Sequence, residues 1–229
     1  MNPMRRLLLL MALCGALSAQ GQKRVSRPRL QQPNGLSVVA QYDVQRGLPD
    51  SLSPAPEVAK PYTLMASGES MAFAPTPDEG KPFAVSGPMA VYIDKREKLS
   101  AAPLLMEYVL VRDAVSPIRW TIIGERKIVN GHPCQKATAG DTVAWFCEAI
   151  PLPAGPLGCY GLPGLIMELS TPRLRCIATS VQQSRLPVPV ARPRSFPVYS
   201  REQYARMLKE GGKLRLKNPR PADVMPQHH

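Results

Sequence analysis

Short segments in which apolar and polar residues alternate recur along most of the chain, separated by glycine, proline, aspartate or serine. Alternation with a period of two is typical of a strand that buries one face. The segments follow one another at spacings of about 8–14 residues with no helical pattern between them, which favours an antiparallel meander over βαβ units. We therefore predict a mainly β protein, an antiparallel curved sheet or open barrel, with strands at Leu36–Tyr42, Pro61–Ala66, Ser70–Ala74, Ala90–Asp94, Met106–Arg112, Ile118–Ile123, Lys127–Asn130, Cys134–Ala139, Thr142–Glu148, Leu165–Leu169 and Leu174–Val181.

One segment near the C-terminus predicts a single α-helix at residues 200–211. Ser200 and Gln203 have the spacing of a capping box, and Gly211 is a suitable end. The apolar stripe of this helix, at i, i+3 and i+4, consists of Tyr204, Met207 and Leu208. The preceding residues 185–199 are rich in proline and predict an extended linker into the helix.

The first 21 residues have the order of a secretory signal peptide. Two arginines precede the apolar run Leu7–Leu17, small residues follow, and cleavage after Ser18 or Gly21 fits the pattern. A lipid anchor on Cys14 would need a small residue just before it, whereas a leucine stands there. No later apolar run approaches the roughly 18 residues of a transmembrane helix. We therefore expect an exported protein without a transmembrane span, located in the periplasm, at the outer membrane or outside the cell.

The formal charge of +12 is concentrated at the two ends of the chain, because residues 30–184 are close to neutral. The basic N-terminal segment 22–35 and the basic tail 212–229 could bind an anionic surface, or they could simply keep a neutral body in solution. Nucleic acid is a poor candidate partner, since an exported protein meets little of it and no aromatic residues interleave with a basic stripe.

Four cysteines remain after signal removal, an even number that predicts two disulfides in an exported chain. Gly140-Asp141 can form a two-residue turn between the predicted strands on either side. In that register the numbers of paired residues add up to 281, which places Cys134 opposite Cys147. Cys159 and Cys176 then pair by elimination. The alternative is four buried free cysteines that pack as small apolar residues.

Candidate catalytic chemistry is sparse. The stretch around Ser70 superficially resembles a nucleophile elbow but lacks its second glycine and its strand–turn–helix setting. A catalytic triad would depend on His132, the one histidine outside the tail. His132 and Cys134 could share one face of a strand, although an exported compartment favours a disulfide over a free nucleophile. The sequence has no metal-binding spacing, and we predict no catalytic residue, no metal and no cofactor.

The stretch Gly161-Leu162-Pro163-Gly164-Leu165-Ile166 combines a turn with the start of an apolar strand. Pro163 and Gly164 would occupy positions i+1 and i+2 of a type II turn, which requires a positive φ at the glycine. Gly161 allows an unusual backbone angle just before the turn. Because none of the six residues has a side chain suited to chemistry, a structural role is favoured over a tight binding loop.

This hexapeptide and the residues leading to it closely resemble the GLPGLI family, exported bacterial proteins of unassigned function. The resemblance covers roughly residues 119–169 and includes Asn130-Gly131-His132-Pro133-Cys134, Ala144-Trp145-Phe146, Ile150-Pro151 and Gly155-Pro156 before Gly161–Ile166. The resemblance implies an exported protein and transfers no catalytic residue. The strand pattern itself predicts a β domain at residues 36–184, with the GLPGLI-like part at 119–169 as its core. Gly158-Cys159-Tyr160 departs from the basic–aromatic lead into the motif that is usual for the family.

Two functions remain open from the sequence. The first is a non-catalytic protein of the cell envelope that binds an apolar or peptide-like ligand or an envelope protein. Trp120, Trp145 and the methionine-containing segment Leu64–Met71 could line its concave wall. The alternative is an envelope hydrolase using Ser70 or a carboxylate pair. A histidine or second carboxylate within hydrogen-bond reach of Ser70 would favour the hydrolase.

Overall fold

A computed structural model describes residues 35–46, 60–104, 107–194 and 196–209. Within them the chain forms twelve strands and one α-helix. The strands are β1 Ser37–Arg46, β2 Lys60–Ser67, β3 Ser70–Pro75, β4 Val91–Ile93, β5 Lys98–Leu104, β6 Glu107–Asp113, β7 Thr121–Val129, β8 His132–Ala139, β9 Thr142–Cys147, β10 Leu165–Thr171, β11 Leu174–Ser184 and β12 Val198–Ser200, and the helix is α1 Arg201–Lys209.

All twelve strands belong to one open sheet in the order β12-β6-β5-β4-β3-β2-β1-β11-β10-β9-β8-β7. Every pair is antiparallel except β12 with β6, which is parallel. The predicted fold class, a mainly β protein with an antiparallel curved sheet or open barrel and one C-terminal helix, is confirmed in the form of one open, mostly antiparallel sheet. The signal peptide 1–21, nearly all of the basic segment 22–35 and the basic tail 212–229 lie outside the described residues.

The strand predictions fail in three places. The segments predicted at Ile118–Ile123 and Lys127–Asn130 form one strand, β7, whose pairing with β8 is interrupted between Ile122 and Arg126 by a bulge. Strand β5 was missed because its alanines, serine and proline give it little strand character. The linker predicted at 185–199 is also wrong at its end, because Val198–Ser200 pairs with β6.

The larger core lies on one face of the sheet and is completed by residues 148–164, here called the inner segment. Ile150 and Leu152 from this segment are almost fully buried against strand residues such as Phe146. Burying a side chain of this size contributes about 1.5–3 kcal/mol. Buried hydrogen bonds also fix the segment, since Trp120 Nε1 donates to the carbonyl of Tyr160 at 2.8 Å. The inner segment therefore fills the face that the sequence suggested as a ligand-binding wall.

The hexapeptide ends the inner segment and begins β10, but the predicted type II turn is wrong. Gly161 has a φ of 94°, whereas Gly164 does not have a positive φ. A Cβ atom at Gly164 would lie 2.0 Å from the backbone oxygen of Cys147. Gly164 is needed because two backbone segments approach each other there, while Leu162, Leu165 and Ile166 are buried in the core.

The β8–β9 hairpin has the predicted register. Ala139 lies opposite Thr142 and Gln135 lies opposite Phe146, so the same register brings Cys134 opposite Cys147 one step further. Gly140 has a φ of 57°, as the first central residue of a type II′ turn requires. The four cysteines are unlinked in this structure, and three of them are buried.

The helix begins with the predicted capping box. The backbone N–H of Ser200 donates to Gln203 Oε1 at 2.8 Å, and that of Gln203 donates to Ser200 Oγ at 3.2 Å. Met207 is buried and Tyr204 packs beside it, but Leu208 is 55% exposed, so the predicted apolar stripe is wrong at that residue. Gly211 lies outside the described residues. No helix in the described part of the chain is long and apolar enough to cross a membrane.

Candidate binding cleft

The opposite face of strands β3 to β6 carries a second, smaller core. Two extended, proline-containing segments pack onto it through Phe83, Val85, Val190 and Phe196. A cleft of about 790 Å³ opens between the two segments above strand β2. We call it the proline-lined cleft, and it is lined by Met65, Pro82, Phe83, Ala84, Val85, Pro189, Ala191, Arg192, Pro193, Arg194 and Phe196.

The first wall of the cleft is anchored to the sheet below it. Val85 is 5% exposed, which fixes the middle of the wall in the smaller core. At the end of this wall, Tyr62 Oη donates a hydrogen bond to the carbonyl oxygen of Pro88 at 3.1 Å. These contacts hold an otherwise irregular segment in one place and leave Pro82 and Phe83 facing the cleft.

The second wall is anchored at both ends and in the middle. Its start is tied by the backbone N–H of Val188, which donates to Ser37 Oγ at 3.4 Å. At its end, the N–H of Leu110 donates to the carbonyl of Pro197 at 3.0 Å. In the middle, Arg192 forms an ion pair with Glu97. The wall is therefore a fitted part of the molecule and not a free linker.

Glu97 is the electrostatic anchor of the second wall. Hydrogen bonding from Arg192 lowers the pKa of its carboxyl group, and Arg112, 3.0 Å away, lowers that pKa further. Glu97 therefore stays ionised well below neutral pH. Its negative charge is shared between two guanidinium groups, those of Arg112 and Arg192.

Ser70 lies on the same face of the sheet, at the start of β3. Burial raises the pKa of Tyr92, and the nearby Ser70 side chain opposes part of that rise. Tyr92 Oη in turn donates to Asp94 Oδ2 at 3.2 Å. Burial disfavours the ionised Asp94 carboxyl, but the backbone N–H groups of Arg96 and Glu97 outweigh it and lower its pKa. No hydrogen bond among the described residues joins Ser70 to a histidine or a carboxylate.

Cys134 and His132 do not form a nucleophile–base pair. The Cys134 thiol donates to the backbone oxygen of His132 at 3.4 Å instead of to the imidazole. Burial, reinforced by Cys147, raises the pKa of the Cys134 thiol to about 12. Burial also raises the pKa of Cys176 to about 12, with a smaller contribution from Cys159. Thiols with such pKa values are un-ionised at neutral pH and are poor nucleophiles.

The tryptophans proposed as ligand contacts are engaged elsewhere. Trp120 is 2% exposed in the larger core. Trp145 lies under Lys127, whose Nζ is 4.3 Å from the ring centroid. The same Nζ contacts the buried carboxylate of Glu168 at 2.6 Å, so this cluster serves to join β7, β9 and β10. No group of three or more metal-ligating side chains occurs in the described ranges.

Of the residues suggested for ligand binding by the sequence, Met65 alone, within Leu64–Met71, lines the cleft. The arginines and phenylalanines of the cleft were missed. The signal that could have found them is the clustering of prolines, eight in residues 49–88 and four in Pro187–Pro197, next to Phe83 and Phe196. Proline clusters are also typical of ordinary linkers, and only the fold shows that two of these segments run side by side.

Comparison with known proteins is informative about fold but not about activity. A family model described as a protein of unknown function, Porph_ging, matches residues 138–168, which contain β9, the inner segment and the start of β10. No curated protein matches the chain.

Two solved structures of PNGF-II, in space groups P21 and C2, are similar to this chain. Each has a TM-score of 0.51 and 13% sequence identity. The matches cover 76% and 77% of this chain but 34% and 33% of PNGF-II, so the chain spans about a third of that protein. At this identity the likeness shows the fold alone.

Proposed function

We propose that this protein is an exported protein of the cell envelope that binds an apolar or peptide-like ligand without catalysing a reaction, and that the proline-lined cleft is its binding site. The observation that supports the proposal is the cleft itself, an open pocket of about 790 Å³ with prolines and two phenylalanines in its walls. Ligand sites are commonly pockets of this size, lined mainly by apolar side chains with a few polar groups at defined positions.

The anchoring of both walls also supports a binding role. A site formed by fixed segments loses little conformational entropy when a ligand binds. Val85 and the Arg192–Glu97 ion pair hold the two walls on the sheet before any ligand arrives. By contrast, the hydrolase alternative lacks a general base in contact with Ser70, since no hydrogen bond among the described residues joins Ser70 to a histidine or a carboxylate.

The proposal is tested with Nile red, a neutral apolar dye whose fluorescence rises in an apolar environment. Ala191 is exposed and lines the cleft, so Ala191→Trp should fill the cleft and weaken dye binding by roughly tenfold or more. Ala114→Trp adds the same ring at an exposed position outside the cleft and should bind as the parent does. If both variants bind the dye equally well, the cleft is not the site.

A further inference from the structure

The charges of the proline-lined cleft indicate what kind of ligand it takes. Its two charged lining residues are both arginines, Arg192 and Arg194, and the other lining residues are apolar. We propose that the ligand is an extended apolar peptide whose C-terminal carboxylate binds Arg194, an inference that rests on the binding function proposed above.

The two arginines have different surroundings. Arg192 is already paired with Glu97, and the carboxylate of Asp94 is near enough to contribute to the raised pKa of Arg192. Arg194 is exposed and forms no ion pair with any residue that the structure describes. Arg192 therefore holds the wall in place, whereas the guanidinium of Arg194 is available to a ligand. A guanidinium can bind both oxygens of a carboxylate through parallel N–H donors.

The charges around Arg192 and Arg194 favour the binding of an anion. Arg96, Arg112, Arg192 and Arg194 carry four positive charges, against two negative charges on Asp94 and Glu97. The lining itself contains no carboxylate to compete with a ligand for Arg194. A ligand with an apolar body and one anionic end matches both the apolar walls of the cleft and its two arginines.

The backbone of the walls favours a peptide over an acyl chain. The carbonyls of Pro82 and Pro189 and the N–H groups of Phe83 and Ala191 take part in none of the hydrogen bonds within the described residues. An extended peptide can pair with such groups, and an acyl chain cannot. Aromatic side chains flanking an open groove are also the setting in which extended, proline-containing peptides bind. Phe83 and Phe196 occupy that position on the two walls.

The inference is tested by fluorescence anisotropy with a labelled pentapeptide of alternating proline and leucine, prepared with a free C-terminal carboxylate and, for comparison, as the C-terminal amide. The free acid should bind roughly tenfold or more tightly than the amide, because a charge-assisted hydrogen bond is lost in the amide. Arg194→Gln should abolish this preference and leave the affinity for the amide unchanged. Arg173→Gln removes an exposed arginine at the β10–β11 turn and should change neither affinity.

Three results would overturn the inference: equal binding of acid and amide, a preference that persists in Arg194→Gln, or no binding of either peptide. Dodecanoate provides the lipid arm of the experiment. If it binds in an Arg194-dependent manner and the peptide does not, the ligand is an acyl carboxylate and the peptide assignment is wrong. Nile red separates this failure from a failure of the proposed function, since dye that still binds in the cleft leaves the function standing.

Discussion

Gly164 lies where the inner segment meets strand β10, with its α-carbon against the backbone of Cys147. Because a Cβ atom would come within 2.0 Å of the Cys147 oxygen, we expect Gly164→Ala to lower the free energy of unfolding by about 2–3 kcal/mol. Gly124→Ala is the matched control, since nothing lies within 4 Å of its Cβ position and its φ is not positive. The control should change stability by less than about 0.5 kcal/mol in denaturant unfolding. Equal stability of the two variants would contradict the close backbone approach.

We expect Cys134 and Cys147 to form a disulfide under oxidising conditions, and Cys159 to pair with Cys176. The hairpin register supports the first pair, because extending it by one residue makes Cys134 and Cys147 a non-hydrogen-bonded pair with Cα atoms about 4.5 Å apart. Both cysteines are buried, and burial raises the pKa of the Cys134 thiol, so this thiol is un-ionised at neutral pH in the folded, reduced state. Non-reducing peptide mapping should find a 134–147 link. A 134–159 or 134–176 link would show that the hairpin register is wrong.

At the scale of elements, the second wall of the cleft and the helix are joined to the sheet by carboxylates. Hydrogen bonding from Arg192 lowers the pKa of Glu97, and hydrogen bonding from Arg201, at 2.6 Å, lowers the pKa of Asp113. A carboxylate with a lowered folded pKa contributes stability above its unfolded pKa and loses it as the pH falls through the folded value. Both attachments should therefore hold at neutral pH and weaken below about pH 4.

Hydrogen exchange measured from neutral to acidic pH tests this attachment. Exchange within residues 185–209 should rise, relative to the rest of the sheet, as the pH falls below about 4. Glu97→Gln should raise exchange near Arg192 already at neutral pH. Glu107→Gln removes an exposed carboxylate that forms no ion pair in the described part of the chain, and it should leave the profile unchanged. Uniform protection of residues 185–209 at every pH would show that the carboxylates do not hold the segment.

The capping box of helix α1 makes a separate prediction. Ser200→Ala removes the hydroxyl that accepts the N–H of Gln203, and it should cost about 1 kcal/mol. The effect is expected locally, as faster hydrogen exchange at the Gln203 amide. The reason is that Met207 is the one buried residue of the helix, so its start is held mainly by the capping box. Unchanged exchange at Gln203 would mean that the box contributes nothing to the helix.

For the whole molecule, the sequence was informative where a local rule decides the structure. Alternation located most strands, Ser200 and Gln203 located the helix start, and Gly140-Asp141 set the register of a hairpin. Contacts between segments that are distant in the chain could not be predicted from such local rules. Gly164 was expected to adopt the positive φ of a type II turn, and it does not. Its lack of a side chain instead lets the backbone of Cys147 approach closely, which the turn motif could not reveal.

The cleft was missed for the same physical reason. Phe83 and Phe196 lie more than a hundred residues apart in the chain, and both line the cleft because the second wall returns to the sheet, where β12 pairs with β6. The sheet order that brings them together depends on long-range pairing, which no local pattern encodes. The expectation that Trp120 lines a concave ligand-binding wall was wrong, because residues 148–164 fill that face of the sheet.

The central claim is that the proline-lined cleft is the molecule's binding site, and photolabelling tests it most directly. A neutral alkyl benzophenone would be irradiated with the full-length protein, and the labelled peptides would be mapped by mass spectrometry. We predict labels concentrated in residues 82–85 and 189–196 and lost in Ala191→Trp but not in Ala114→Trp. Labels concentrated on the inner segment or around Trp120, or a pattern that Ala191→Trp leaves unchanged, would contradict the claim.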